Sequence, residues 1–280
     1  MLRDEYFRRL INGAHIELYL SANDGARVFW PWRMQPPREA SQNYRDACEK
    51  YIIDSHIADP SVTTNECLDA AFKYNAEIVA LVDYLPFDVY ERELDPEEDQ
   101  QAWEAFQQLK KEYDSAYTAT LGSLTGGLEQ YHDHPFDGEV LIPLQKPWVD
   151  CWQDIGEPAN HILGIGGLKD GGNSERIEAS QALRQAVGPY VWIHGFGWGP
   201  DGLADEIRAN PDLIDSIDYS TPMQNAATDN CTPGKERMSV AAMGSARKLV
   251  RDLREVSEYP TKQTPDAQRS KNQSGIGAFL

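Results

Sequence analysis

The stretch Glu139-Val-Leu-Ile-Pro-Leu144-Gln145, followed by His161-Ile-Leu-Gly-Ile165-Gly166-Gly167, decides the fold. Each segment is a short, continuously apolar run that stops at a polar residue or at glycine. Such a run lacks the alternation of a half-exposed strand and fits a strand covered on both faces, as in a parallel sheet flanked by helices. The same pattern recurs at Ile16–Leu20, Tyr51–Ile53, Glu77–Val82, Tyr190–His194 and Ser216–Ile217. Helical patterns lie between the runs. Thr63-x-x-Glu66 is a capping box ahead of Cys67, Leu68, Ala71 and Phe72. Asp95-Pro96 with Glu98 predicts another helix start, and Trp103, Phe106, Leu109, Tyr113 and Tyr117 form its stripe. Met238, Ala242, Ser245, Leu249, Leu253 and Val256 make a stripe near the end.

Seven such units predict an α/β protein with a parallel sheet, most simply a (β/α)8 TIM-type barrel with one irregular strand. An open doubly wound sheet is the alternative. Residues 1–256 read as a single barrel domain, and the polar, aperiodic segment 257–280 as a mobile tail.

Composition narrows the setting. Asp and Glu total 45 against 26 Lys and Arg, a net charge of −19, with a pI near 4.6 and a mean hydropathy of −0.57. That field repels polyanions at ordinary ionic strength and disfavours a simple electrostatic nucleic-acid binder. In a high-salt cytoplasm, where the Debye length shrinks to about 3 Å, the objection lapses. No run approaches the ~18 apolar residues of a membrane span. The charged start Met1–Leu10 has no apolar signal-peptide core, so a cytoplasmic protein with no membrane partner is expected. Cys48, Cys67, Cys151 and Cys231 form no C-x-x-C pair, which argues against a disulfide framework or a cysteine-rich zinc site. The sequons at Asn230 and Asn272 are read as chance matches.

The strand ends carry the chemistry. Asp54-Ser55, Asp83, Gln145, Gly166-Gly167, Gly195-x-Gly197 and Asp218 each follow or close an apolar run. In a barrel all of these converge on the C-terminal rim, where such enzymes hold their active sites. A lone carboxylate there could be a helix N-cap; several carboxylates, a glutamine and two glycine pairs read as a site.

Gly164-Ile-Gly-Gly-Leu168, His194-Gly-Phe-Gly197 and Ile214-Asp-Ser-Ile-Asp-Tyr-Ser-Thr-Pro-Met-Gln-Asn225 resemble, in order and spacing, the second half of the tRNA-guanine transglycosylases. Tyr51-Ile-Ile-Asp-Ser55, Val82-Asp83 and Leu144-Gln145 are similar to that family's earlier segments. The resemblance implies exchange of guanine for a 7-deazaguanine base in nucleic acid, DNA or tRNA. It implies Asp218 as nucleophile and Asp54 as general base. Asp83, Gln145, Gly166, Gly167 and Ser55 would be the substrate-binding residues, with no cofactor. The chemistry suits these residue types. A carboxylate can trap an oxocarbenium-like C1′, and a second can take the proton of the incoming base. A guanine edge offers N1–H and an amino group to a carboxylate and asks for donors at O6.

The departures are specific. His56-Ile57 follows Ser55 where the family has Gly-Gly, Tyr84 follows Asp83, and Lys146 follows Gln145. The family's zinc-binding C-x-C-x-x-C with a later His is absent, so no metal is expected. These differences favour a minimal relative of the DpdA-type, DNA-modifying branch. The rival readings are a metal-dependent barrel hydrolase using His194, Asp218 and His56, or a non-catalytic partner subunit that docks through the acidic stretch Glu91–Asp114. A homodimer is also left open. Gly197-Trp-Gly-Pro-Asp-Gly202 matches a dinucleotide-binding spacing but is read as a strand-to-helix turn, and His132-Asp-His134 as a solvated loop.

Self-repulsion at −19 weakens as salt rises, so the melting temperature should climb from 0.1 M into the molar range of KCl. Differential scanning calorimetry across that range checks this; a flat or falling profile would mark an ordinary acidic protein.

Overall fold

A computed structural model of the chain describes residues 14–21, 29–158, 160–168, 171–199, 203–220 and 235–257, including the side chains of all but 235–243 and 245. Eight parallel strands close into a barrel in chain order: β1 (Glu17–Leu20), β2 (Trp32–Gln35), β3 (Lys50–Ile53), β4 (Ile78–Ala80), β5 (Glu139–Leu144), β6 (Ile162–Ile165), β7 (Ile193–Gly195) and β8 (Ser216–Tyr219). β8 closes on β1 through Glu17↔Ser216 to Leu20↔Tyr219. The helices are α1 (Gln42–Arg45), α2 (Thr64–Tyr74), α3 (Phe87–Glu93), α4 (Gln100–Glu112), α5 (Ala116–Asp133), α6 (Trp148–Asp154), α7 (Asn173–Val187), α8 (Ala204–Ala209) and α9 (Lys235–Ser257). The open doubly wound sheet is thereby excluded.

The strand that the apolar runs did not disclose is β2. Arg33 and Gln35 point out of the barrel yet are buried, and the Arg33 guanidinium lies 5.1 Å from the centre of the Tyr44 ring on α1. A charged side chain covered in this way breaks the apolar signature. β2 pairs with β3 from Trp32↔Lys50 to Gln35↔Ile53 and with β1 at Leu20↔Arg33. One correction concerns Asp95. It accepts from the Glu97 N–H in a turn, and α4 starts at Asp99, whose carboxylate accepts from the Ala102 N–H. The chain breaks again at Tyr113, and Ser115 caps α5, so the stripe from Trp103 to Tyr117 belongs to two helices. The acidic stretch Glu91–Asp114 is accordingly split between α3, α4 and their connections. The Thr63/Glu66 capping box forms as expected.

Alternate strand residues face opposite ways, so the core has two shells. Outside the barrel, Leu18, Ile53, Val79, Ile142, Leu163 and Ile217 pack against helix residues such as Leu68, Leu124, Leu183 and Leu249. Inside, Tyr19, Met34, Ile52, Ile78, Ala80, Leu141, Ile162 and Trp192 fill the lumen. On α9 the Leu249, Leu253 and Val256 face is buried, while the side chains of Met238, Ala242 and Ser245 lie outside the described residues. So do the tail 258–280, the start 1–13, both sequons and Cys231. No described helix is long and apolar enough to cross a membrane.

One arginine ties the last quarter of the barrel together. Arg184 on α7 donates to the carbonyls of Asp212, Gly188 and Val191 and to the Asp215 carboxylate, at 2.6–3.1 Å. Asp215 also accepts from the Ile193 N–H at 2.8 Å, which joins β7 to the entry of β8. Arg184→Met strands a buried carboxylate and should cost about 3–5 kcal/mol, read by urea denaturation. A loss under ~1 kcal/mol would show that the bonds between Asp215 and Ile193 hold this corner without the arginine.

Candidate active site

Each of β3 to β8 ends in a polar group or glycine at one rim. Asp54 follows β3; its backbone N–H donates to the Gln35 carbonyl, and its carboxylate accepts from the Ser55 N–H at 2.9 Å. The His56 N–H adds a second backbone bond to that carboxylate. The turn explains the backbone of His56, which adopts φ +53°, a left-handed value that glycine accepts most readily.

Asp83, after β4, is buried and bridged on both oxygens. Ser55 Oγ donates to Oδ1 at 3.1 Å and Gln145 Nε2, from the end of β5, donates to Oδ2 at 2.5 Å. The two bonds fix the Gln145 amide, since only its NH2 can donate to a carboxylate. Gly166 and Gly167 leave room for this pair. A Cβ on Gly166 would stand 3.2 Å from both Asp83 Oδ2 and Gln145 Nε2, and one on Gly167 would stand 2.3 Å from Gln145 Oε1. Gly167 also has φ +74°. The two glycines differ in one respect: the Gly166 N–H is bonded to the Leu144 carbonyl at 2.9 Å, and its carbonyl accepts from Trp148 Nε1. Gly166 therefore shapes the floor, and the Gly167 N–H is the one left to meet a ligand.

Asp218 faces the lumen side of β8 and is buried. Ser21 Oγ donates to Oδ2 at 2.7 Å and the Gly197 N–H donates to Oδ1 at 2.5 Å. His194 Nε2 lies 3.5 Å from Oδ1. Ser216 Oγ accepts from the Trp192 indole at 2.8 Å and lies 2.8 Å from His194 Nδ1, which holds the imidazole in place with Nε2 toward Asp218.

The carboxylates act on one another. Burial, reinforced by the charge of Asp218, pushes Asp54 up to about 7. Burial, reinforced by the charge of Asp54, pushes Asp83 up to about 7 against the Ser55 and Gln145 bonds. Near neutral pH this rim therefore holds exchangeable protons, as acid–base catalysis requires.

The structure thus brings Asp54, Ser55, Asp83, Gln145, Gly166, Gly167 and Asp218 to one end of the barrel. It gives Gly197 of the strand-end glycine pair a role, as an N–H donor to Asp218, and adds two groups that the strand-end pattern did not single out: the Ser21 hydroxyl and Arg176 on α7, on which the Asp218 charge acts. Ser21 follows β1 but resembles any loop serine, and a backbone N–H leaves no trace in sequence. Among the described residues no group of three or more His, Cys, Asp or Glu side chains could hold a metal, and His194, Asp218 and His56 form no such group. His132 and His134 end α5, on the face opposite the rim, where His134 lies 3.3 Å from Asp69. Of the Gly197–Gly202 spacing, residues 200–202 lie outside the described residues, and Gly199 packs so closely on the Tyr219 ring that a Cβ would stand 2.5 Å from it. Pro222 to Asn225 also lie outside them.

No family model and no curated protein matches the chain. Among solved structures it is similar to the YdjI aldolase from Escherichia coli K12, at 9% identity and a TM-score of 0.52, over 91% of this chain and 96% of that one. A candidate fructose-1,6-biphosphate aldolase from Coccidioides immitis is similar at 8% identity and a TM-score of 0.52, with the same coverage. At such identity these likenesses speak to the barrel fold alone.

Proposed function

We propose that this chain is a base-exchange transglycosylase that replaces guanine with a 7-deazaguanine in nucleic acid, with DNA favoured over tRNA, through a glycosyl bond to Asp218. The observation that supports this most is the pairing of two differently built carboxylates at one rim. Asp218 is held by two donors, the Ser21 hydroxyl and the Gly197 N–H, with the His194 ring beside it, as a nucleophile must be aimed. Asp54 is buried against its charge, as a proton carrier must be tuned.

In the first step an Asp218 oxygen bonds C1′ as the bond from C1′ to guanine N9 breaks, and protonated Asp54 supplies the proton that the departing base takes up. In the second, N9 of the incoming 7-deazaguanine attacks C1′ and Asp218 leaves as carboxylate. Asp54 takes the N9 proton and returns to its starting state. Asp83 suits the N1–H and amino edge of the base, with the Gly167 N–H and the second Gln145 N–H as donors for O6. The left-handed backbone at His56 lends the resemblance further support, because it keeps a glycine-like turn where that family carries glycine.

Labelled-guanine exchange with duplex DNA, single-stranded DNA and tRNA tests the reading. Asp218→Asn should abolish both exchange and the covalent adduct on a denaturing gel. Asp54→Asn loses both the proton for the departing base and the acceptor for the incoming one, so it should lower exchange by about 10²–10⁴-fold and form the adduct more slowly than the parent without abolishing it. Exchange that survives in Asp218→Asn would sink the scheme.

The raised carboxylates make function and stability pull in opposite directions. The folded protein keeps protons on Asp54 and Asp83 up to about pH 7, whereas the unfolded chain releases them near 3.8. Folding therefore takes up protons between these values, and this part of the stability is lost as pH rises from about 4 to about 7. Asp54→Asn should melt higher than the parent at pH 8, by about 2–4 °C per kcal/mol recovered, with little difference at pH 4. Calorimetry at the two pH values reads it, and an equal difference at both would show that the Asp54 charge is not the cause.

A further inference from the structure

We infer that Arg176 is an anion-recognition residue of this rim, seated to take a phosphate group of the reacting nucleotide. Arg176 lies in the second turn of α7, the helix that follows the Gly166-Gly167 turn. Its side chain is half-buried, its Nε is fully enclosed, and its guanidinium forms no hydrogen bond or ion pair with a described residue. Other cations here are occupied: Arg38 by Asp59 and Glu66, Arg45 by Glu77, Lys146 by Glu175, Arg184 by Asp215 and Lys248 by Asp252. In a chain with 45 acidic residues against 26 basic ones, a half-buried arginine without a carboxylate partner is unusual. Burying donors without partners is costly, and an incoming anion would supply the missing acceptors.

The neighbourhood specifies which anion. Arg176 stands near the N-terminal end of α7, the end that follows β6 at the rim, and the charge acting on it is that of Asp218, the carboxylate placed above at C1′. Burial lowers the pKa of Arg176 while Asp218 opposes the shift, and the group remains a cation. A phosphate approaching a protein of net charge −19 needs a local positive group to overcome the general field. A guanidinium meets phosphate oxygens with two parallel N–H bonds, the geometry that an ammonium cannot match. That Arg176 binds an anion is independent of the proposed reaction; that the anion is the phosphate of the reacting nucleotide rests on the base-exchange reading.

The test is titration calorimetry at constant ionic strength, with deoxyguanosine, deoxyguanosine 3′,5′-bisphosphate and inorganic phosphate as probes. The proteins are the parent chain, Arg176→Lys and Arg176→Met, and Met keeps the apolar stem that packs on α7. The parent should bind the bisphosphate at least about tenfold more tightly than the nucleoside. Arg176→Met should bind the two equally with an unchanged melting temperature, and Arg176→Lys should fall between. Inorganic phosphate should bind the parent and not Arg176→Met. A parent without the preference, or an Arg176→Met variant that keeps it, overturns the proposal. Phosphate binding that depends on Arg176 in a protein that exchanges no base into DNA or tRNA would keep the anion site and remove the base-exchange reading.

Discussion

Closure of β8 onto β1 is the constraint on which the site depends. The register Tyr19↔Asp218 sets both residues on the lumen side, with Glu17↔Ser216 below them. A slip of one residue would turn Asp218 out toward the helices and bring Ile217 inward, because side chains alternate along a strand. The apolar outer shell forbids that slip, since Ile217 is fully buried there beside α9. The position of the Asp218 carboxylate is thus set by where its apolar neighbour must go. The same logic holds for Asp54 beyond Ile53 and for Gln145 beyond Leu144.

This is also why so much of the site was legible. The polar residues at the strand ends stand out against continuous apolar runs, and barrel topology gathers strand ends wherever they lie in the chain. Asp54, Asp83, Gln145 and Asp218 could be brought together without knowing a single distance. What stayed hidden has physical reasons. β2 carries Arg33 and Gln35 on its outward face, so its burial is not apolar. The start of α4 was placed at Asp95 because that aspartate, followed by proline, has the composition of a helix start, while the chain uses its carboxylate in a turn and caps with Asp99. Ser21 and Arg176 reach the site from a loop and a helix flank, where neither period nor neighbours mark them.

The support around the carboxylates is graded. Asp215 and Asp218 lie in one short segment, yet Asp215 is clamped by an arginine at the entry of β8, and Asp218 is met at the exit by a hydroxyl, a backbone N–H and an imidazole. The first arrangement neutralises charge and holds structure. The second orients a carboxylate with no permanent cation hydrogen-bonded to it. His194 is itself braced from below by Ser216 and Trp192, and the rings of Tyr19 and Phe196 meet it edge-on. The polar rim is therefore supported by the lumen packing and not by the loops alone.

The filled lumen has a kinetic meaning. Gly164 lies so close to Phe196 that a Cβ there would stand 2.2 Å from the ring, and Trp192, Leu141, Ile162 and Met34 occupy the space below. Among the described residues these side chains close the barrel below the rim. Under the proposed exchange, both bases would use the rim opening in turn, the departing guanine clearing it before its replacement enters. Packing of apolar side chains that never touch the reacting atoms would then favour a double-displacement, ping-pong order.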